Sequence, residues 1–350
     1  MDEFKETIKT LSKISGVSGR EENVADFIIK KLPKNVTYKK DAIGNLYVHK
    51  EGKKKPEKRL AIFSHMDEVG LIITYITEDG YLKFNTIGGI DTGVLLGRKV
   101  FLESGIPGII GVKPVHMLKS EERKSFPNVS ELIIDIGADS KKEAEKYVSL
   151  GDYACFESKW TEFSKDSVKM KALDDRAGCG ISLELLKEDF QYDIDFIFTV
   201  EEEVGSRGAS VAAFNINPDI AIILETTTAG DICDVENEKK ACELGKGPVI
   251  SYMDRGTVYD FSLYKKARLI SENNGINSQT KTLIAGGNDS SSVQRAGSGT
   301  RVIAISVPTR YLHSESSVVK WSDVLDTLNL TRELIKNFQE GEIWLGFLKI

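Results

Sequence analysis

Apolar residues recur at helical spacing at the start of the chain. Phe4, Ile8, Leu11 and Ile14 form one stripe, and Val24, Phe27, Ile28 and Leu32 form a second after glycines at 16 and 19. One-sided stripes of this period predict two short helices. Ser18-Gly19-Arg20-Glu21 has the spacing of a capping box and is expected to open the second helix. The texture then changes to short apolar runs: Val36-Thr37-Tyr38, Leu46-Tyr47-Val48 and Leu60-Ala61-Ile62-Phe63. The last is continuous, as in a strand buried on both faces. Between Leu71 and Trp160, β-type runs alternate with glycines, for example Leu71 to Tyr75, Lys99 to Leu102 and Leu132 to Ile136. That pattern predicts a small β-rich unit. Lys119 to Asn128, charged and carrying a proline, is expected to be a flexible loop. Beyond Met170 a helix is predicted over Gly178 to Lys187. Strands follow over Phe196 to Val200, Ala221 to Leu224 and Val302 to Ser306, and a closing helix runs from Ser322, its expected cap, to Phe338. Strands separated by helices predict an α/β fold. The expectation is a three-layer α/β/α catalytic domain with a mixed sheet, formed by 1–70 and 161–350, interrupted by a small β-rich, barrel-like domain at 71–160.

Composition narrows the function classes. A net charge of -6 over 350 residues favours solubility and argues against nucleic acid as a main partner. The opening Met1-Asp2-Glu3-Phe4-Lys5 is of mixed charge and lacks the pattern of a secretion signal. No run of about 18 apolar residues occurs, so no membrane span is expected. Cys155, Cys179, Cys233 and Cys242 are scattered without a CxxC spacing. A cysteine zinc site is therefore unsupported, and reduced thiols in a cytoplasmic protein are expected.

Polar clusters follow the apolar runs or precede a helix: His65-Met66-Asp67, Asp174-Asp175-Arg176, Glu201-Glu202-Glu203, Glu225 and His313. In open α/β sheets, sites lie beyond the carboxyl ends of strands. Carboxylates and imidazoles gathered there are the donors a divalent cation needs. Each cluster also has a plainer reading. A histidine after a strand is more often structural, but Asp67 is placed to accept its second ring N–H. Asp174 and Asp175 could cap a helix, or a carboxylate there could bridge two cations with Arg176 balancing the charge. Three adjacent glutamates beside a buried strand repel unless a cation neutralises them. Burying Glu225 without a partner would be costly. His49 and His116 have no carboxylate pattern around them and are read as structural.

Taken together, these segments resemble the tetrahedral (TET) metallo-aminopeptidases, also described as glutamyl aminopeptidases or endoglucanase-like proteins. The matching motifs are SHMDEVG at 64–70, ALDDRAG at 172–178, TVEEEVGSRGA at 199–209, LETTTAGD at 224–231 and PTRYLHS at 308–314. Gly88-Gly89-Ile90, Gly111 to His116, Gly245 to Pro248 and Gly286-Gly287-Asn288-Asp289 add support, in the family's order along nearly the whole chain. The resemblance implies two divalent ions per subunit, with zinc, cobalt and manganese all compatible with the donors. His65 and Glu225 would bind one ion, Glu203 and His313 the other, and Asp174 both. Glu202 would be the general base for a metal-activated water, and Asp67 the carboxylate behind His65. Many relatives carry Asp where this chain has Glu225, which is one methylene longer. The resemblance also implies short peptide substrates, a homododecamer built partly by the inserted domain, and a Lys119 to Asn128 loop that reaches toward a neighbouring subunit. Competing readings are a metal-dependent deacylase of N-acyl amino acids, a glycan hydrolase, which would need no metal, and a non-catalytic peptide-binding subunit.

Overall fold

The computed structural model describes residues 2–120 and 124–339. Its framework is an eight-stranded sheet in the order Val36–Lys40, Leu46–Lys50, Ile194–Thr199, Leu60–His65, Ile220–Thr228, Arg301–Thr309, Val249–Ile250 and Gln279–Thr280. Ile194–Thr199, Leu60–His65, Ile220–Thr228 and Arg301–Thr309 run parallel. Leu46–Lys50 is antiparallel to both its neighbours, and Val249–Ile250 is antiparallel to Arg301–Thr309 but parallel to Gln279–Thr280, so the sheet is mixed, as expected.

Every residue of Leu60–His65 is buried. Side chains alternate across a strand, and here the alternation sorts them between two layers. Leu60 and Ile62 pack with Ile8, Leu11 and Ile28 of the N-terminal helices and with Leu330 and Leu334 of the helix Trp321–Gln339. Ala61 and Phe63 pack on the other face with Ala209, Ala212 and Val293. A strand covered on both sides has no use for polar residues, which accounts for its unbroken apolar run.

From His65 the chain passes through Met66 to Val69 into a closed barrel. Its strands, in order, are Gly70–Ile76, Leu82–Ile87, Ile133–Asp135, Pro107–Gly111, Lys99–Leu102 and Tyr153–Phe156. Lys99–Leu102 alternates exposed and buried positions, and Leu71, Phe84, Val100, Leu102, Ile110 and Ile134 fill the interior. The barrel-like unit expected from the glycine-punctuated β runs is present.

Several local expectations are corrected. Ser18 does not cap a helix: Glu22–Lys31 has Glu21 at its N-cap position with no side-chain cap bond. The Ser18 hydroxyl instead donates to Asp67 at 2.6 Å. A buried carboxylate is a stronger acceptor partner than a capping bond at a surface helix end. Ser322 lies inside the helix Trp321–Gln339 and donates to Asp166 Oδ2 at 2.5 Å. The helix predicted from Gly178 lies in the element Leu173–Leu185, whose backbone is non-helical at Asp174 and Asp175 and regular only beyond them. Of the predicted loop Lys119 to Asn128, positions 121–123 lie outside the described residues. All four cysteines are free thiols. Among the described residues no helix is long and apolar enough to cross a membrane.

Candidate metal centre

Parallel strands place their ends side by side, and this gathers the polar clusters. His65 ends Leu60–His65 and is 1% exposed. Its Nδ1 faces the Asp67 backbone oxygen at 3.2 Å and Asp67 Oδ1 at 3.4 Å. Its Nε2 points the other way, 3.4 Å from Asp174 Oδ1 and 3.7 Å from Glu225 Oε2. Glu225 comes from the neighbouring strand Ile220–Thr228. His313 lies in the turn after Arg301–Thr309 at φ 57. Its Nε2 is 3.4 Å from Asp174 Oδ2 and 3.2 Å from Glu203 Oε2. Each Asp174 oxygen therefore faces one imidazole.

Asp174 precedes the regular part of its helix, and its peptide with Asp175 is cis. Asp175, not Asp174, serves the helix start, accepting from the Gly178 N–H at 2.9 Å. Asp67 organises the acidic turn: Oδ1 accepts from the Glu202 N–H at 3.0 Å and Oδ2 from the Glu203 N–H at 3.1 Å. The Glu202 carboxylate accepts from the Ser206 hydroxyl at 3.4 Å. On the barrel side, the Gly89 carbonyl accepts from His313 Nδ1 at 2.7 Å, which leaves Nε2 free to face the carboxylates.

Three donor groups result: His65 with Glu202 and Glu203, His65 with Asp174 and Glu225, and Asp174 with Glu203 and His313. The last two share Asp174. Asp174 Oδ1 and Glu225 Oε1 are buried without a hydrogen-bond partner among the described residues. Native proteins rarely leave buried carboxylate oxygens unsatisfied. The electrostatics agree. Burial pushes Glu202 and Glu225 well above the ordinary carboxyl range, and burial with the Asp174 charge takes Glu203 to about 8. Burial opposes charge on the imidazoles, yet the surrounding carboxylates hold His65 well above its usual value and His313 at about 9. The cluster gathers more buried carboxyl groups than its two imidazoles can pair, so these groups resist ionising without a cation. Hard-to-borderline divalent cations fit such a donor set.

Some expectations fail here. Arg176 does not balance the site: its guanidinium donates to the carbonyls of Leu11, Ile14 and Gly16 at 2.9, 3.3 and 3.4 Å. Its terminal nitrogens are turned to those carbonyls and to Glu68 Oε1 at 3.8 Å, while its buried Nε has no hydrogen-bond partner among the described residues. His49 does have carboxylates around it, Asp195 and Asp193, delivered by strand pairing at the far end of the sheet. Sequence reasoning also passed over the buried Lys171–Glu68 pair, 2.6 Å apart beside Asp174, and Asp289, which accepts from Thr199 at 2.6 Å. The available signals were adjacency: Glu68 follows Asp67, and Asp289 closes the Gly286-Gly287-Asn288 run.

Fold and site together define an α/β protein whose parallel strands end at a carboxylate–imidazole cluster beside a barrel. Comparison with known proteins makes the class specific. The M42 glutamyl aminopeptidase family matches residues 44–330, and the chain belongs to that family. It is similar to the lysyl aminopeptidase of Pyrococcus furiosus, 30% identical over 95% of this chain and 97% of that protein. Among solved structures, it is similar to aminopeptidase APDkam598 of the archaeon Desulfurococcus kamchatkensis, at TM-score 0.93 and 31% identity, covering 100% of this chain and 99% of that one. It also matches the TET1 peptidase of Pyrococcus horikoshii, described as assembling into a tetrahedron or a large octahedral shell, at TM-score 0.83 and 36% identity, covering 95% and 99%. The chain is thus a peptidase hydrolase of the aminopeptidase type.

Proposed function

We propose that this aminopeptidase is dinuclear and metal-dependent, and that it removes N-terminal residues from short peptides with Glu202 as general base. One observation carries the reading: two donor groups share Asp174 and include buried carboxylate oxygens with no hydrogen-bond partner among the described residues. His65 and Glu225 would hold one divalent ion, Glu203 and His313 the second, and Asp174 both. Zinc or cobalt suits these donors best, and manganese is compatible. When bound, the ions supply Lewis acidity that polarises a carbonyl and lowers the pKa of water.

The chain's own residues do the rest. A Glu202 carboxylate oxygen takes the proton of the attacking water and returns it to the leaving amine. Asp67 holds the turn that presents Glu202 and Glu203, through both of their backbone N–H groups. It also faces His65 Nδ1, directing Nε2 at the ligand cluster. The division into a catalytic unit, 1–70 and 161–350, and an inserted unit, 71–160, is part of the same reading. The inserted barrel touches the site through the Gly89 carbonyl. A dodecamer is supported by the dodecameric and tetrahedral assemblies described for the Pyrococcus horikoshii TET1 peptidase and by exposed Val115, Met117 and Phe126 in the inserted unit. A cytoplasmic location is supported by the four free thiols.

The test is metal analysis of the purified protein, paired with a panel of aminoacyl anilides and N-acyl amino acids before and after chelation. The expected result is two ions per chain and anilide turnover that stops on chelation and returns with cobalt or zinc. Turnover that persists without metal, or that is confined to N-acyl amino acids, overturns the reading.

A further inference from the structure

The barrel reaches the candidate metal centre on one side. The turn that carries His313 follows Arg301–Thr309 and places two non-glycine residues in the left-handed region, Tyr311 at φ 56 and His313 at φ 57. Such backbone is costly and persists only where its surroundings hold it. Part of the support is internal. Arg310 and Val318 exchange backbone hydrogen bonds at 2.9 and 3.0 Å, and the Ser314 hydroxyl donates to the Tyr311 carbonyl at 2.6 Å. The rest comes from the barrel and the chain leaving it. The Gly89 carbonyl accepts from the His313 ring, Arg98 Nη1 meets Glu315 Oε1 at 2.6 Å, and the Ser158 hydroxyl donates to the Glu315 carbonyl at 2.7 Å. Arg98 Nε donates to the Val94 carbonyl at 2.9 Å. That bond fixes the guanidinium to the same connection, between Leu82–Ile87 and Lys99–Leu102, that carries Gly89.

This connection also touches Glu203. Gly88 sits at φ 78, and a β-carbon there would come within 3.2 Å of Glu203 Cβ and 2.8 Å of Val69 Cγ1. Glu203 and His313 are the two residues assigned to the second ion alone. The other half of the centre is held differently. His65 is oriented by Asp67, which accepts from Ser18, and Glu225 lies on a strand paired along both edges. Charge adds weight to the Arg98 contact. The Glu315 side chain is 12% exposed, and its Oε2 is buried without a hydrogen-bond partner among the described residues. Removing Arg98 would strip a mostly buried carboxylate of this counter-ion, and the turn would shift to bring it to water.

We propose that Arg98 is a positioning residue for the second ion: acting through Glu315, and together with the Gly88-Gly89 segment, it fixes the His313 turn. The barrel thereby sets how tightly Glu203 and His313 hold their ion and leaves the ion of His65 and Glu225 unaffected. The inference rests on the dinuclear reading and adds how the two halves are held.

The test titrates the metal-free full chain with cobalt, read by calorimetry and by the visible absorption of the bound ion. The unaltered protein is expected to take two ions per chain, and H313A identifies the step that belongs to the second. R98M should weaken that step about tenfold, as for other residues that orient a ligand, and leave the first within about twofold. R98K, which keeps a cation, should recover most of the affinity. G88A, which presses on Glu203 instead of freeing the turn, should weaken the same step by a separate route. Arg98 is 43% exposed, so R98M removes little packing. Melting temperatures identify any variant that fails to fold, and R98M and R98K carry the comparison if G88A does. A merely structural role would lower the melting temperature without separating the two steps. If R98M weakens both steps equally, or neither, the assignment of Arg98 is wrong while the dinuclear reading stands. If the unaltered protein binds fewer than two ions, the dinuclear reading fails and takes this one with it.

Discussion

At one end of the sheet, His49 Nδ1 meets Asp195 Oδ1 at 2.7 Å, and its Nε2 lies 3.5 Å from Asp193 Oδ2. Asp193 also accepts from the Gly52 N–H at 2.9 Å and from Lys55 Nζ at 2.8 Å. The His49 side chain is 41% exposed, so water reaches it. At the opposite end, His65 is almost wholly buried and faces Asp67, Asp174 and Glu225. There, Asp174 Oδ1 and Glu225 Oε1 make no hydrogen bond among the described residues. Both ends bring a histidine against aspartates. They differ in whether the protein itself completes the hydrogen bonding. The contact alone says little, because a satisfied, half-exposed pair is ordinary. Burial combined with a deficit of donors is what separates a candidate centre from a structural ion pair.

The contrast can be tested from both sides. The largest effect is expected from E202Q, which should lower kcat by about 10²- to 10⁴-fold while metal content holds at the wild-type value. H49A, at the satisfied end, should leave kcat within about twofold of the unaltered protein, a change near the scale of an exposed pair. Similar losses in the two variants would erase the distinction. Next in size is stabilisation by metal. Adding cobalt or zinc to the metal-free protein at about 100 times the dissociation constant should add roughly 2.7 kcal/mol, read as a rise in Tm. The rise should vanish in D174A and survive in H49A; its survival in D174A would remove that residue from the centre.

A smaller effect is expected from D67N, where the Asn amide can no longer accept from both backbone N–H groups. Metal affinity, measured by competition with a chromogenic chelator, should fall about 10- to 100-fold, as for other residues that orient a ligand. Unchanged affinity would make Asp67 a purely local brace. The smallest effect belongs to Asp193. Against the upward pull of burial, the Lys55 ammonium and the Gly52 amide hold its carboxyl below the usual range. A depressed folded-state pKa contributes stability above the unfolded value of about 3.9 and loses it as pH falls through the folded one. D193N should therefore cost at most about 1 kcal/mol at pH 7 in urea unfolding. The gap to the unaltered protein should close below about pH 3. A gap that widens on acidification would contradict the sign.

Much of the architecture was readable from periodicity. Continuous apolar runs marked the strands covered on both faces, and alternation broken by glycine marked the barrel, because burial imposes those patterns residue by residue. The donor residues could be picked out as polar groups just past strand ends. Ser18 and Arg176 were misread, and the carboxylates beside the structural His49 went unseen, for one shared reason. Ser18 fits a capping pattern locally, but its partner, Asp67, is 49 residues away. Arg176 bonds to carbonyls more than 150 residues earlier in the chain. His49 meets Asp195 only because their strands pair.

The composition of each layer, and the chemical kind of each site residue, could thus be read along the chain, since they depend on period and polarity. The convergence of His65, Asp174, Glu203, Glu225 and His313, the donor deficit there, and the pairing of Arg98 with Glu315 could not. Those depend on distances and solvent access between segments far apart in sequence, and packing alone sets them.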